Sequence, residues 1–176
     1  VKYLKTYNES LNQPILLILH GLDDDPERAI KNSGIPDKFL NNSKILVPKI
    51  NYQKEDAVLI AVNLIETNAI KYVIGHSIGG LLAYHLSNRY RIPALMFNPA
   101  FGSKECTRIL RPARISGQPV YKKQFAVIGL QDDIISPDTQ KEHLKNATIW
   151  EVPDMGHTVT PEIFEEYYQK FKAAIK

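Results

Sequence analysis

The chain has 176 residues, 44% of them hydrophobic and 23% charged, with a net charge of +3. That length suits one globular domain with its own core. The longest aliphatic run, Ile15 to Leu19, is too short to cross a bilayer, the mild charge argues against a nucleic-acid binder, and a single cysteine, Cys106, excludes an internal disulfide.

Short apolar runs alternate with helical patterns from one end to the other, which predicts an α/β fold with a parallel sheet. The N-terminal residues Val1-Lys2-Tyr3-Leu4-Lys5 lack the apolar core of a signal peptide, so cytoplasmic residence is expected. Strands are predicted at 14–20, 44–48, 71–74, 94–98, 124–128 and 148–152. The first contains Ile15-Leu16-Leu17-Ile18-Leu19, the unbroken pattern of a strand buried on both faces. After it, Asp25-Pro26 opens a helix that Gly34-Ile35-Pro36 breaks, so two short helical pieces are expected before Asn41. A helix over 54–68 places Val58, Ala61, Val62 and Ile65 on one face. Others are expected over 78–90, 138–145 and 160–174, the last opening with a Thr160 cap and Pro161. The stretch 101–123 shows no period and is the least regular part of the chain. No Cys/His cluster has metal-ligand spacing and no glycine-rich phosphate loop is present, so neither a metal nor a cofactor is expected.

The sequence Gly75-His76-Ser77-Ile78-Gly79 stands where the third strand turns into a helix. A G-x-S-x-G turn of this kind is so sharp that flanking side chains would collide, and its strain lifts the serine hydroxyl clear of the sheet. A serine needs an imidazole to take its proton. Of the five histidines, His85 and His143 sit on helices, His76 points away from the hydroxyl, and His20 ends the first strand, where it anchors a loop. His157 follows the last strand. A parallel sheet delivers the C-terminal ends of its strands to one edge, so Ser77 and His157 are expected to meet there. A carboxylate from the same edge should orient the imidazole. The fifth strand ends in Asp132-Asp133, of which Asp132 is chosen ahead of Asp133, Asp138 and Asp154. Oxyanion donors are expected from the backbone N–H groups of Ile78 and of Leu22, in the His20-Gly21-Leu22 turn.

The order Ser77, Asp132, His157, with the His-Gly-Leu turn, the Gly-His-Ser-Ile-Gly-Gly elbow and the Gly-His157 pair, resembles the α/β-hydrolase superfamily. Through Asn98-Pro99-Ala100 and the short Asp132-to-His157 interval it resembles the small YqiA-type bacterial esterases in particular. The resemblance implies a single three-layer domain over 1–176, with helices on both faces of a minimal, mainly parallel six-stranded sheet in the order 2-1-3-4-5-6. It also implies a lid-like insertion at 102–124, and residues 3–7 are read as an added edge strand. Implied activity is cofactor-free hydrolysis of a small-molecule carboxylic ester or acyl thioester through an acyl-enzyme. An acyltransferase or peptidase on the same triad, or a non-catalytic binding protein on this fold, are the alternatives; an elbow serine in place of aspartate argues against a dehalogenase.

Around this site Gly21, Leu22, Ile78, Phe101, Ile134 and Met155 are expected to border a small apolar pocket suited to short or medium acyl chains. Residues 102–124 carry six cations against the one acid Glu105, while the remaining chain is slightly acidic. That cluster suggests an anionic leaving group such as a coenzyme A thioester.

Overall fold

Unbroken Leu/Ile/Val runs cannot satisfy a half-wet strand, and in the computed structural model they form the interior of a sheet covered on both faces. The structure describes residues 15–111 and 120–176. The predicted edge strand at 3–7 lies outside the described residues. The elements follow in the order β1 (Leu16–Leu19), α1 (Pro26–Asn32), α2 (Asp37–Leu40), β2 (Ile45–Leu46), α3 (Ala57–Thr67), β3 (Tyr72–His76), α4 (Ile78–Tyr90), β4 (Ala94–Phe97), α5 (Lys104–Leu110), β5 (Gln124–Gly129), α6 (Pro137–His143), β6 (Thr148–Val152) and α7 (Pro161–Ala174). The strands pair in the order β2-β1-β3-β4-β5-β6, each pair parallel.

Residue alternation divides the core. Leu17, Leu19, Val73, Met96, Ala126 and Ile128 face one layer, with Ala61 of α3, Leu82 of α4 and Leu110 of α5. Leu16, Ile18, Ile74, Leu95, Phe97 and Val127 face the other, with Ile30 of α1, Phe39 of α2 and Phe164 of α7. This is the period of two of a strand, read out as two separate cores.

Helix starts follow their caps. Asp56 accepts from Leu59 N–H at 3.1 Å, so α3 begins at Ala57 and not at 54 as its apolar pattern suggests. Asp25 caps α1 ahead of Pro26, and Thr160 caps α7 ahead of Pro161. Within the segment without a period, the structure places α5, capped by Ser103 Oγ on Cys106 N–H at 3.2 Å. Only Cys106 and Leu110 of this helix are buried, a single i, i+4 pair that is too short to register as a helical pattern. The segment 102–111, expected as the start of a lid-like insertion, is pinned to the core at α5, and residues 112–119 lie outside the described residues.

The register sets the functional edge. Leu19 pairs with Gly75, so the loop after β1 leaves beside the end of β3. His76 pairs with Phe97, which puts Asn98 next to Ser77. Gly129 pairs with Val152, so the loops carrying Asp132 and His157 emerge side by side.

Phe164 is the largest test of the α7 layer: it is 1% exposed, stacks on Phe97 at 5.1 Å and meets Phe39 edge-on at 5.5 Å. Truncation of Phe164→Ala should cost about 3–5 kcal/mol, the range for a buried aromatic that leaves a cavity. The urea midpoint should fall with little change in slope, and a loss below about 1 kcal/mol would mean that this layer is not packed as described.

Candidate active site

Two glycines make the turn at Ser77. A Cβ on Gly75 would sit 2.1 Å from Gly79 O, and one on Gly79 would sit 2.3 Å from Leu19 O. Without side chains at these positions, α4 approaches β3 at Gly75 and the end of β1 at Gly79, closely enough to force Ser77 to φ 55 and ψ −119, a region that non-glycine residues rarely occupy. The conformation is held by Ser77 N–H donating to Phe97 O at 2.9 Å and by Ala100 N–H and Leu81 N–H donating to Ser77 O, each at 3.0 Å. Ser77 thus occupies the N-cap position of α4 without capping it, and its hydroxyl faces the loop after β6.

His157 completes the contact. Its Nε2 lies 3.1 Å from Ser77 Oγ, and its Nδ1 lies 3.1 and 3.0 Å from Asp132 Oδ1 and Oδ2. A carboxylate only accepts, so Nδ1 carries the ring proton and Nε2 is left with its lone pair toward the serine hydroxyl. The Asp132 side chain has no exposure to solvent. Its Oδ1 accepts from Ile134 N–H and Ile135 N–H, both at 2.9 Å, and Oδ2 receives Gln140 Nε2–H at 3.4 Å. Burial pushes the carboxyl pKa up, but the bonds from His157 and the two backbone amides outweigh it, and the net shift is downward. Asp132 is thus held as an anion. Its neighbour Asp133 is exposed and turned to the cavity.

Above Ser77 lies an open cavity of about 450 Å³ whose walls include Gly21, Leu22, Asp133, Ile134, Gly156 and His157. Leu22 and Ile134 supply its apolar surface, and Ile134 is 66% exposed. No lysine or arginine is among the described residues that line it. The Ile78 N–H stands in the first turn of α4, where a helix offers no carbonyl of its own to accept it.

Two of the expected pocket residues are elsewhere. Phe101 is buried in the core, edge-on to Tyr84 and stacked on His143, with ring centroids 5.0 Å apart in each case. Met155 is 2% exposed in the core layer beneath α7, where its carbonyl accepts from Gln131 N–H. Each follows a strand end, as a pocket residue would, but sequence position does not say which way a loop side chain turns. The described cations of the basic cluster do not line this cavity either. Arg108 and Arg111 line a second cavity of about 440 Å³ with Glu55, Asp56 and Glu105, and this one shares no residue with the first.

The buried polar residues at the same edge divide by partner. His20, fully buried, donates from Nδ1 to Gly21 O at 2.8 Å and accepts Ile50 N–H on Nε2 at 3.0 Å, while Tyr52 O–H donates to its carbonyl. It anchors the loop as expected. Gln140, Asn98 and Ser33 escape sequence reasoning, because nothing in a pattern of apolar residues marks a buried amide or hydroxyl on a helix or loop. Asn98 leaves one trace, the Asn-Pro pair directly after a strand. Among the described residues, no group of three His, Cys, Asp or Glu side chains is placed to hold a metal, and no helix is long and apolar enough to cross a membrane.

The sheet order, the two helical layers and the strained serine turn between β3 and α4 define the α/β-hydrolase fold. Solved structures of this fold superimpose over most of the chain at low identity. An acyl-protein thioesterase 2 from Zea mays is 15% identical over 94% of this chain and 95% of its own, with a TM-score of 0.59. The ydeN gene product of B. subtilis is 12% identical over 91% and 99%, at 0.62. XC6422 of Xanthomonas campestris, described as an a/b serine hydrolase without lid, is 13% identical over 92% and 82%, at 0.59. No curated protein sequence matches the chain. Residues 15–112 match the model of the uncharacterised protein family UPF0227, and the chain belongs to that family.

His76 makes the site sensitive to acid. Burial, and then the proximity of His157, lowers its pKa from 6.5 to about 4. Between those values the unfolded chain binds a proton that the native state does not, so stability is complete above about pH 6.5 and is lost as the pH falls toward 4. By linkage the loss is about 3 kcal/mol. The Asp132 contribution is lost only below the ordinary carboxylate range, in a separate window. Melting temperatures at pH 7 and 4.5 should therefore differ clearly, and less so in His76→Gln. An unchanged difference in that variant would mean that His76 is not buried neutral.

Proposed function

We propose that the protein is a serine hydrolase that cleaves carboxylic esters or acyl thioesters of short to medium chain. The observation that carries this reading is the continuous line Ser77 Oγ, His157 Nε2, His157 Nδ1 and Asp132, with both contacts at hydrogen-bond distance and the carboxylate buried. In this reading, His157 Nε2 takes the Ser77 proton as Oγ bonds to the acyl carbon, and the carbonyl electron pair moves onto oxygen. The Leu22 and Ile78 N–H groups receive that oxyanion. When the tetrahedral centre collapses, the bond to the leaving oxygen or sulfur breaks, and His157 returns the proton to the leaving group. Water then attacks the acyl-enzyme with His157 again as base, releasing the acid and restoring Ser77. Asp132 holds the tautomer and stabilises the imidazolium without being protonated itself.

The cavity supports the substrate class. Leu22 and Ile134 offer apolar contact to an acyl chain, and an opening to solvent leaves room for a larger leaving group. With no described cation on its walls and the Asp133 carboxylate facing it, the site favours a neutral leaving group over the phosphates of coenzyme A.

Replacement of Ser77→Ala should lower turnover of a p-nitrophenyl ester by about 10⁴- to 10⁶-fold and abolish labelling by a fluorophosphonate. Asp132→Asn should cost about 10⁴-fold through the wrong tautomer, whereas Asp133→Asn should cost less than about tenfold. Appreciable turnover in the serine variant would remove Ser77 as nucleophile. For the leaving group, an acyl-CoA should be hydrolysed no faster than the matching neutral thioester, at low salt as at high. A preference for the CoA ester that fades with added salt would reinstate the basic segment as its binding site.

A further inference from the structure

The carbonyl of His157 accepts two side-chain hydrogen bonds, one from each of two neighbouring strand ends. His76 Nε2 lies 2.8 Å from it and Asn98 Nδ2 lies 3.1 Å from it. Since a carbonyl only accepts, His76 carries its proton on Nε2. Asn98 Nδ2 also donates to Gly156 O at 2.8 Å, and Asn98 Oδ1 accepts Gly129 N–H at 2.8 Å. This residue is fully buried and held at φ 42, in the left-handed region that asparagine tolerates better than most residues. One side chain therefore ties the His157 loop to the end of β5, three residues before Asp132.

On its other side, the unprotonated His76 Nδ1 lies 3.0 Å from Ser33 Oγ, which is buried and accepts Gly21 N–H at 2.9 Å; the single Ser33 hydroxyl proton is shared between Nδ1 and Ala29 O, 2.7 Å away. The approach is close: a Cβ on Gly21 would stand 2.9 Å from His76 Nδ1. A chain of hydrogen bonds thus runs from the Gly21-Leu22 loop through Ser33 and His76 to the His157 backbone. It passes beside the serine without touching its hydroxyl.

We infer that His76 and Asn98 are positioning residues for His157, two donors on one backbone carbonyl that fix the imidazole at its distance from Ser77 Oγ and Asp132. The inference rests on the proposed roles of Ser77 and His157. Its physical basis is that a loop histidine has no rigid element of its own. A glycine precedes it and Thr158 after it is exposed, so the ring is only as well placed as the backbone that carries it. Losing one donor frees the loop to shift, and a displacement of about 1 Å at a catalytic group can cost on the order of 10²-fold in rate. His76 borders the cavity but is only 4% exposed and Asn98 is fully buried, so the loss falls mainly on turnover.

The test compares wild type with His76→Leu, His76→Gln and Asn98→Asp, reading kcat and KM for p-nitrophenyl acetate and the rate at which diisopropyl fluorophosphate modifies Ser77. His76→Leu and Asn98→Asp should lower kcat and the labelling rate by about 10- to 100-fold, with KM within about threefold. His76→Gln, whose amide can place a donor where Nε2 stood, should recover most of the loss. A folded His76→Leu that labels at the wild-type rate, or a glutamine variant no better than the leucine one, overturns the inference. If His76→Leu does not fold, Asn98→Ser decides, since it removes the other donor from the same carbonyl with a smaller change. Failure of the wild-type enzyme to be modified at Ser77 would instead overturn the nucleophile assignment itself.

Discussion

The site depends on how closely β3 and α4 approach each other. A helix normally leaves a strand through a loop long enough to relax; here the turn is made in one residue, and Ser77 absorbs the strain. Such a conformation costs on the order of 1–3 kcal/mol. It persists because the surroundings over-determine it: Ser77 N–H is committed to β4, its carbonyl to two amides, and Ile78 just beyond it is fully buried. The strain keeps Ser77 Oγ from capping its own helix, which is the ordinary fate of an N-cap serine. A hydroxyl denied that bond is free to meet an imidazole.

Much of this was legible in the chain. Strand positions followed from unbroken apolar runs, and the elbow from two glycines around a serine at a strand-to-helix boundary. The shared edge of a parallel sheet then brought Ser77, Asp132 and His157 together although about eighty residues separate the first from the last. What escaped was direction. Phe101 and Met155 sit where a pocket residue could sit, yet both turn into the core, because packing and not position decides where a loop side chain goes. Its place in the pentapeptide predicts that His76 points away from the hydroxyl, but nothing in sequence spacing reveals its bond to the His157 carbonyl. Short α5 escaped for a different reason: one buried i, i+4 pair does not make a period.

The three histidines at this edge show how one residue type takes different parts. Each is fixed by what its nitrogens face. His20 meets a carbonyl and an amide N–H, so it has one donor and one acceptor role and is locked as a neutral brace. His76 meets a carbonyl and a hydroxyl, again suited to the neutral ring, and burial depresses the pKa of both. His157 alone faces an anion on one side and a hydroxyl on the other. Only that pairing stabilises a positive ring, which is the state the proposed chemistry creates when the serine proton moves.

A neutral imidazole beside one that must become charged is an electrostatic requirement as much as a packing one. A protonated His76, its ring centroid 5.1 Å from that of His157, would oppose formation of the imidazolium. The donor it offers must therefore come without a charge. An arginine or lysine could reach a carbonyl but would bring a permanent cation into a buried site, whereas a neutral imidazole or the Asn98 amide supplies the hydrogen bond alone. That explains why both groups on the His157 carbonyl are uncharged donors, while the one full charge placed against the ring is the carboxylate of Asp132, on the opposite side from Ser77.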